Sequence, residues 1–112
     1  GEWGLFEEYR TGLRTLAAAD PRISLLEIGL DRDGILSLIK ACDCYVSLHR
    51  SEGLGLGMIE AMMLGKPVIG TDFSGSRDFL DAETGFPVPY KLVDVRPHDY
   101  PHAAGQRWAD PD

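Results

Sequence analysis

A chain of 112 residues is enough for one small domain with a thin core. With 44% hydrophobic and 26% charged residues it has an ordinary globular composition, which excludes disorder, collagen and coiled coil. A net charge of -7 argues against a general nucleic-acid or anionic-membrane surface, while leaving room for one anionic ligand held by backbone amides and a few Arg or Lys.

No apolar run approaches the roughly 18 residues of a membrane helix. No basic segment followed by an apolar one marks a secretory signal. The chain opens at Gly1 rather than Met, as a piece of a longer polypeptide would. The expected location is therefore cytoplasmic. Cys42 and Cys44 are the only cysteines. Two residues apart, they would form a strained disulfide or an incomplete metal site, so two reduced thiols packed in a core are expected.

In chain order, residues 3–19 read as a helix, with Leu5, Phe6, Tyr9, Leu13, Leu16 and Ala17 at helical spacing. Asp20-Pro21 ends it, because the residue before proline disfavours the helical region. Ile23–Ile28 is a short apolar run that reads as a strand. Asp31 or Asp33 can cap a second helix, in which Ile35, Leu38, Ile39 and Cys42 form one buried stripe. Cys44–Leu48 reads as a strand covered on both faces. A polar, glycine-rich loop follows, His49–Gly55. Leu56–Leu64 is rich in helix formers and stops at Gly65. Pro67–Thr71 is a strand with proline in its first position, where it is tolerated. A turn at Asp72–Gly75 leads to a short helix at Ser76–Leu80. Phe86–Val95 is extended, and from Arg96 onward the chain reads as irregular. Helices and strands thus alternate, the pattern of an α/β parallel sheet with flanking helices. Ligands of such sheets sit beyond the carboxyl ends of the strands. That places His49–Gly55 and Asp72–Gly75 at the functional edge.

Six of the 13 glycines (Gly53, Gly55, Gly57, Gly65, Gly70 and Gly75) fall within 23 residues. A glycine loop lets backbone approach a ligand, and the unpaired amides that open a helix suit a phosphate. Strand, glycine loop and helix also fit a plain tight turn. The Walker pattern is absent, because no Lys-Ser/Thr pair follows the last glycine, and the glycine spacing misses Gly-x-Gly-x-x-Gly. Glu52 and Glu60 add information. They lie eight residues apart, one in the loop and one in the helix. A carboxylate can accept two hydroxyl hydrogen bonds, which suits a ribose. A second carboxylate near a sugar can orient hydroxyls or stabilise an oxocarbenium-like charge. Met58, Ile59, Ala61, Met62 and Met63 surround Glu60 with apolar residues, and the three methionines are expected in the core.

The run Glu52-Gly-Leu-Gly-Leu-Gly-Met-Ile-Glu-Ala-Met-Met-Leu-Gly-Lys-Pro-Val-Ile-Gly-Thr71 resembles the signature of retaining group 1 (family 4 type) glycosyltransferases. The paired glutamates and Glu-Ala-Met-x-x-Gly-Lys-Pro-Val-Ile match jointly, which is far more specific than a glycine count. Ala-Cys-Asp-Cys-Tyr-Val-Ser-Leu is similar to the family's strand into the loop. Asp72-Phe-Ser-Gly-Ser and Thr84-Gly85 are similar to its next two loops. The resemblance spans roughly residues 22–95 and, weakly, Gln106–Asp112. It implies a Rossmann-like sheet belonging to the C-terminal, donor-binding domain of a GT-B enzyme, here a single partial domain over residues 1–112 with an irregular tail at 96–112.

The resemblance also implies roles. Glu60 would bind the donor ribose, and Glu52 would lie beside the transferred sugar as nucleophile or electrostatic support. The amides of Gly53, Leu54, Gly55 and Leu56 would lie near sugar and diphosphate. A front-face displacement steered by the donor phosphate, without a metal ion or other cofactor, is the expected chemistry. The partners are then a nucleotide-sugar donor and a glycan or lipid-linked acceptor, in polysaccharide or glycoprotein assembly. The acceptor would reach the site through a separate N-terminal domain, so this chain alone should be inactive. In the whole enzyme the domain could also lie peripherally at the inner face of a membrane. An incomplete sheet leaves an edge and a face through which two copies can pair. The alternatives are a non-catalytic nucleotide or sugar-phosphate module and a related nucleotide-sugar epimerase.

The chain departs from the pattern in places. Leu54 stands where an aromatic residue is common. His49-Arg50 replaces a proline-serine entry. Arg50 either meets phosphate charge or is solvated. His49 either lines the sugar pocket or is a hydrogen-bonded loop histidine. Lys66 reads as a surface residue away from the crevice, and His98 and His102 read as solvated.

Overall fold

The computed structural model describes residues 2–97, 99–100, 102–103 and 105–112, without the side chains of Glu2, Trp3, Leu5 and Phe6. His98 and the side chains of Leu5 and Phe6, for which the sequence carried expectations, lie outside the described residues. The elements are α1 (Glu2–Ala19), α2 (Arg32–Ala41), β1 (Tyr45–Ser47), α3 (Leu56–Met63), β2 (Val68–Thr71), a 3-10 turn (Ser74–Asp78), β3 (Phe86–Val88), β4 (Tyr90–Asp94) and β5 (Arg107–Pro111). None of the described helices is long and apolar enough to cross a membrane.

The chain gathers into two compact units, Gly1–Gly29 with Asp94–Gln106, and Leu30–Val93 with Arg107–Asp112. In the first, α1 stops just before Asp20-Pro21, as proline requires. Glu27 takes a fork from Arg14, with Nε and Nη2 each 2.9 Å away, and a further bond from Arg10. The Arg14 hydrogen bonds, followed by that from Arg10, hold its carboxyl below the usual glutamate range. Ile23–Ile28 forms no strand, contrary to expectation, and Ile23, Leu26 and Ile28 are exposed. An apolar run becomes a strand only beside a partner, and the sheet takes its partners elsewhere in the chain.

The second unit is a Rossmann-like α/β arrangement. Its sheet has the order β1-β2-β3 with both pairs parallel. Tyr45 stands opposite Val68, and Ile69 opposite Phe86. Val68 packs with Ile39, Met58, Ala61 and Leu80, and Tyr45, Met62 and Phe79 border this core. Gly70 lies on the same face, where a Cβ would stand 2.9 Å from Met58 Sδ and 3.0 Å from Leu80 Cδ2. The strand thus needs glycine where α3 presses on it.

The opposite face corrects the sequence reading. Val46 is 55% exposed and Phe86 61%, so β1 is not covered on both sides. In α2, Asp31 caps the helix by accepting from the Gly34 N–H, as expected. Only Ile39 of its stripe is buried, while Ile35, Leu38 and Cys42 are exposed. α3, with eight residues, is a two-turn partner and too short to cover a longer stripe. Cys42 and Cys44 are free thiols but exposed, not packed in the core. They sit where α2 gives way to β1, outside the α2–α3 contact. Met58 is buried and Met62 half-buried, but Met63 is 82% exposed, on the far side of its helix. Lys66 is half-buried, three residues past the end of α3. His102 is exposed.

α3 ends as its sequence suggests. Gly65 adopts φ +73°, its N–H donates to Met62 C=O, and Lys66 N–H donates to Ala61 C=O. The tail differs from the irregular segment expected. Arg107–Pro111 is strand β5, paired with β4 in a second, two-stranded sheet. Its partner is separated from it by residues 95–106, so no local pattern announces it.

The turn before β3 is held by Asp81, whose Oδ1 accepts from Glu83 N–H at 2.8 Å and Thr84 N–H at 3.0 Å. These bonds hold the Asp81 carboxyl below its ordinary value of 3.8. A lowered folded pKa stabilises above the ordinary value, and the gain is lost as pH falls through the folded one. Asp81→Asn should therefore lower the melting temperature at pH 7, and the two proteins should converge as the solution is acidified below about pH 4. A difference that is unchanged by acid in thermal melts would refute this.

Candidate functional site

The carboxyl edge of the parallel sheet carries two loops, one after β1 and one after β2. The first enters α3 at Gly55, whose φ is +79°. A Cβ there would stand 2.9 Å from Met58 Cε and 3.0 Å from Phe79 Cζ, so both conformation and space call for glycine. No side chain caps this helix end. The first-turn amides of α3 are thus left for solvent or a ligand. Leu54 and Leu56 are exposed on either side of Gly55, and Gly53 is exposed as well. At Gly57 a Cβ would collide with Tyr45 Oη.

The two loops are tied together. Glu52 C=O accepts from the Ser74 hydroxyl and, at 3.4 Å, from Gly75 N–H. A Cβ on Gly75 would overlap Gly53 C=O. His49 Nε2 lies 2.8 Å from Phe73 C=O, which can only accept, so Nε2 carries a proton. Nδ1 is 3.4 Å from the Ser47 hydroxyl. The His49 ring thus joins β1 to the second loop. Ser74 sits in the left-handed region at φ +68°. Phe73 packs against Tyr90 with ring centroids 5.0 Å apart. Behind them the buried Ser76 hydroxyl lies 2.6 Å from Thr71 C=O and anchors the turn to the end of β2.

The two glutamates differ in setting. Glu52 has its backbone fixed by the second loop while the residue is exposed. Glu60 lies in the second turn of α3 with its side chain 18% exposed. Arg32 Nη1, from the start of α2, donates to Glu60 Oε1 at 2.6 Å. A carboxylate has about four lone-pair positions, so this one bond leaves acceptor capacity. Arg50 leaves the loop for β5, pairing with Asp110 at 2.9 Å.

Sequence reasoning named Glu52, Glu60 and the glycine loop as candidates and put Asp72–Gly75 at the same edge, but it missed Arg32 and Asp110 as neighbours. Gly75 had a signal in Phe73-Ser-Gly-Ser76. Arg32 and Asp110 had none, because their partners lie 28 and 60 positions away in the sequence. The model of the family "Glycosyl transferases group 1" matches residues 27–94, more than half of the chain, and spans α2 through β4 with both loops and both glutamates. Comparison with curated proteins and with solved structures returns no match. With that match, the Glu52–Glu60 spacing and the parallel sheet agreeing, the chain belongs to the group 1 glycosyl transferases.

Proposed function

We propose that this chain forms the donor-binding wall of a retaining transferase that uses a nucleotide-sugar. The carrying observation is Glu60: a largely sheltered carboxylate in the second turn of α3, beside a glycine loop and an uncapped helix start. Such a group accepts the two ribose hydroxyls of the donor, while the amides of Gly53, Leu54, Gly55 and Leu56 meet its diphosphate. His49 borders the sugar. Glu52 lies beside the anomeric carbon and supports the positive charge that develops there. The sugar–phosphate bond breaks, the acceptor oxygen bonds on the same face, and a departing phosphate oxygen takes the acceptor proton. No metal is required for this step.

The acceptor, a glycan or lipid-linked glycan, comes to the site on a second domain. The chain by itself then binds nucleotide weakly and transfers no sugar. The setting we assign is cytoplasmic polysaccharide or glycoprotein assembly. Titrating UDP, GDP and dTDP into labelled protein tests the binding claim by NMR. Amides of residues 52–60 should shift with at least one of them. Silence there with all three would overturn the reading.

A further inference from the structure

Strand β5 and the loop that carries Glu52 meet at one residue, Arg50. Its backbone C=O accepts from Ala109 N–H at 2.9 Å. Its guanidinium donates back to Ala109 C=O at 3.2 Å and pairs with Asp110 at 2.9 Å. The same group lies over the Trp108 ring, 5.3 Å from its centroid. Three consecutive β5 residues thus hold one side chain. Both polar contacts are made by Nη1, while the flat guanidinium that carries it stacks on an aromatic ring as a lysine ammonium does not. Two residues further on, Glu52 C=O is held from another quarter, by Ser74 and Gly75. The short span from His49 to Glu52 is therefore pinned at both ends. The positive charge of Arg50 already faces Asp110, which offsets it for a diphosphate.

We infer that Arg50 is a positioning residue, which latches β5 to the donor loop and thereby sets the Glu52 backbone, and that its charge does not serve the diphosphate. The inference rests on reading residues 49–57 as the donor loop. It adds to that reading a part of the chain, residues 107–111, that lies beyond the segment matched by the family model. The pair itself is partly exposed, with Arg50 and Asp110 side chains 44% and 49% accessible, so its effect is moderate. An exposed ion pair together with a cation–π contact corresponds to roughly tenfold.

Asp110→Asn separates the two roles by sign. As a latch component, its loss weakens binding of whichever of UDP, GDP or dTDP the wild type binds, by roughly two- to fivefold, and weakens the parent nucleoside by the same factor. Arg50→Lys should also weaken binding, because lysine keeps the charge and loses the flat face that stacks on Trp108. Amide exchange at Gly75 should speed up in both variants, while Val68 in the core keeps its protection. Three results would overturn the inference: tighter diphosphate binding in Asp110→Asn, wild-type diphosphate binding in Arg50→Lys, or loss of protection at Val68 along with Gly75. If none of the three diphosphates binds the wild type, the donor reading fails alone, and Gly75 exchange still decides the latch.

Discussion

Gly75→Ala is expected to uncouple the two loops of the site and to lower stability by about 3–5 kcal/mol. A Cβ at this position would overlap Gly53 C=O and crowd Leu54 Cα, which would be 3.1 Å away. Both neighbours are backbone, so no side chain can swing aside. Forcing an extra carbon into such a contact costs about 1–3 kcal/mol. Separating the loops also removes the Gly75 and Ser74 bonds to Glu52 C=O, each worth about 1 kcal/mol. For a chain of this size that is a fall of roughly 10–20 °C in melting temperature. Gly53→Ala serves as the stability control. A Cβ on Gly53 meets nothing within 4 Å, so its cost should stay within about 0.5 kcal/mol. Urea melts of both variants decide the matter, and equal small losses would show that the loops are not held by this contact.

Another glycine shows where the sequence was readable. Gly65 announced the end of α3, because a helix stop with positive φ is a local event. Pro67 announced the start of β2 for a similar reason, since proline is tolerated at a strand's first position. Alternation of short apolar runs with helix formers led correctly to a parallel sheet. Glu52 and Glu60 stood out because spacing within one loop and one helix is also local. What escaped were features that depend on distant partners. Residues 107–111 hold little that marks a strand, and they become one through pairing with β4. Ile23–Ile28 has strand-like residues and no strand beside it. Val46 and Phe86 look like interior residues, and whether they are covered depends on a neighbour that local composition does not reveal.

The glycine-rich loop illustrates the same limit from the side of chemistry. Sequence left Arg50 either meeting phosphate charge or solvated. The fold gives that cation an acidic partner 60 residues on, in Asp110. Likewise Glu60 was legible as an acceptor, but Arg32 as its companion was not. A charge pair across two helices depends on how α2 packs against α3, which neither helix encodes alone. Motif reading therefore named the candidate residues, and the contacts that hold them had to come from the fold.

Glu60→Ala is expected to weaken binding of the donor nucleotide by about 10- to 150-fold, the equivalent of 1.5–3 kcal/mol for hydrogen bonds to a charged group. Stability should change little. The companion Arg32 has a side chain 73% exposed, so water takes over its solvation when Glu60 is removed. The cost of that broken pair is about 1 kcal/mol or less. Affinity alone does not prove that the ribose is the ligand, so the donor should be varied as well. If Glu60 accepts the ribose hydroxyls, the 2′,3′-dideoxy nucleotide binds the wild type weakly and gains no further penalty from Glu60→Ala. The two losses report one interaction and cannot add. Full additivity would mean that Glu60 acts on another part of the nucleotide. Glu60→Gln refines the result, because the amide keeps one acceptor oxygen and loses the charge. Its affinity should fall between those of wild type and Glu60→Ala. Glu52→Gln should leave nucleotide affinity nearly unchanged, since its assigned partner is the sugar; a loss as large as that of Glu60→Ala would exchange the roles of the two carboxylates.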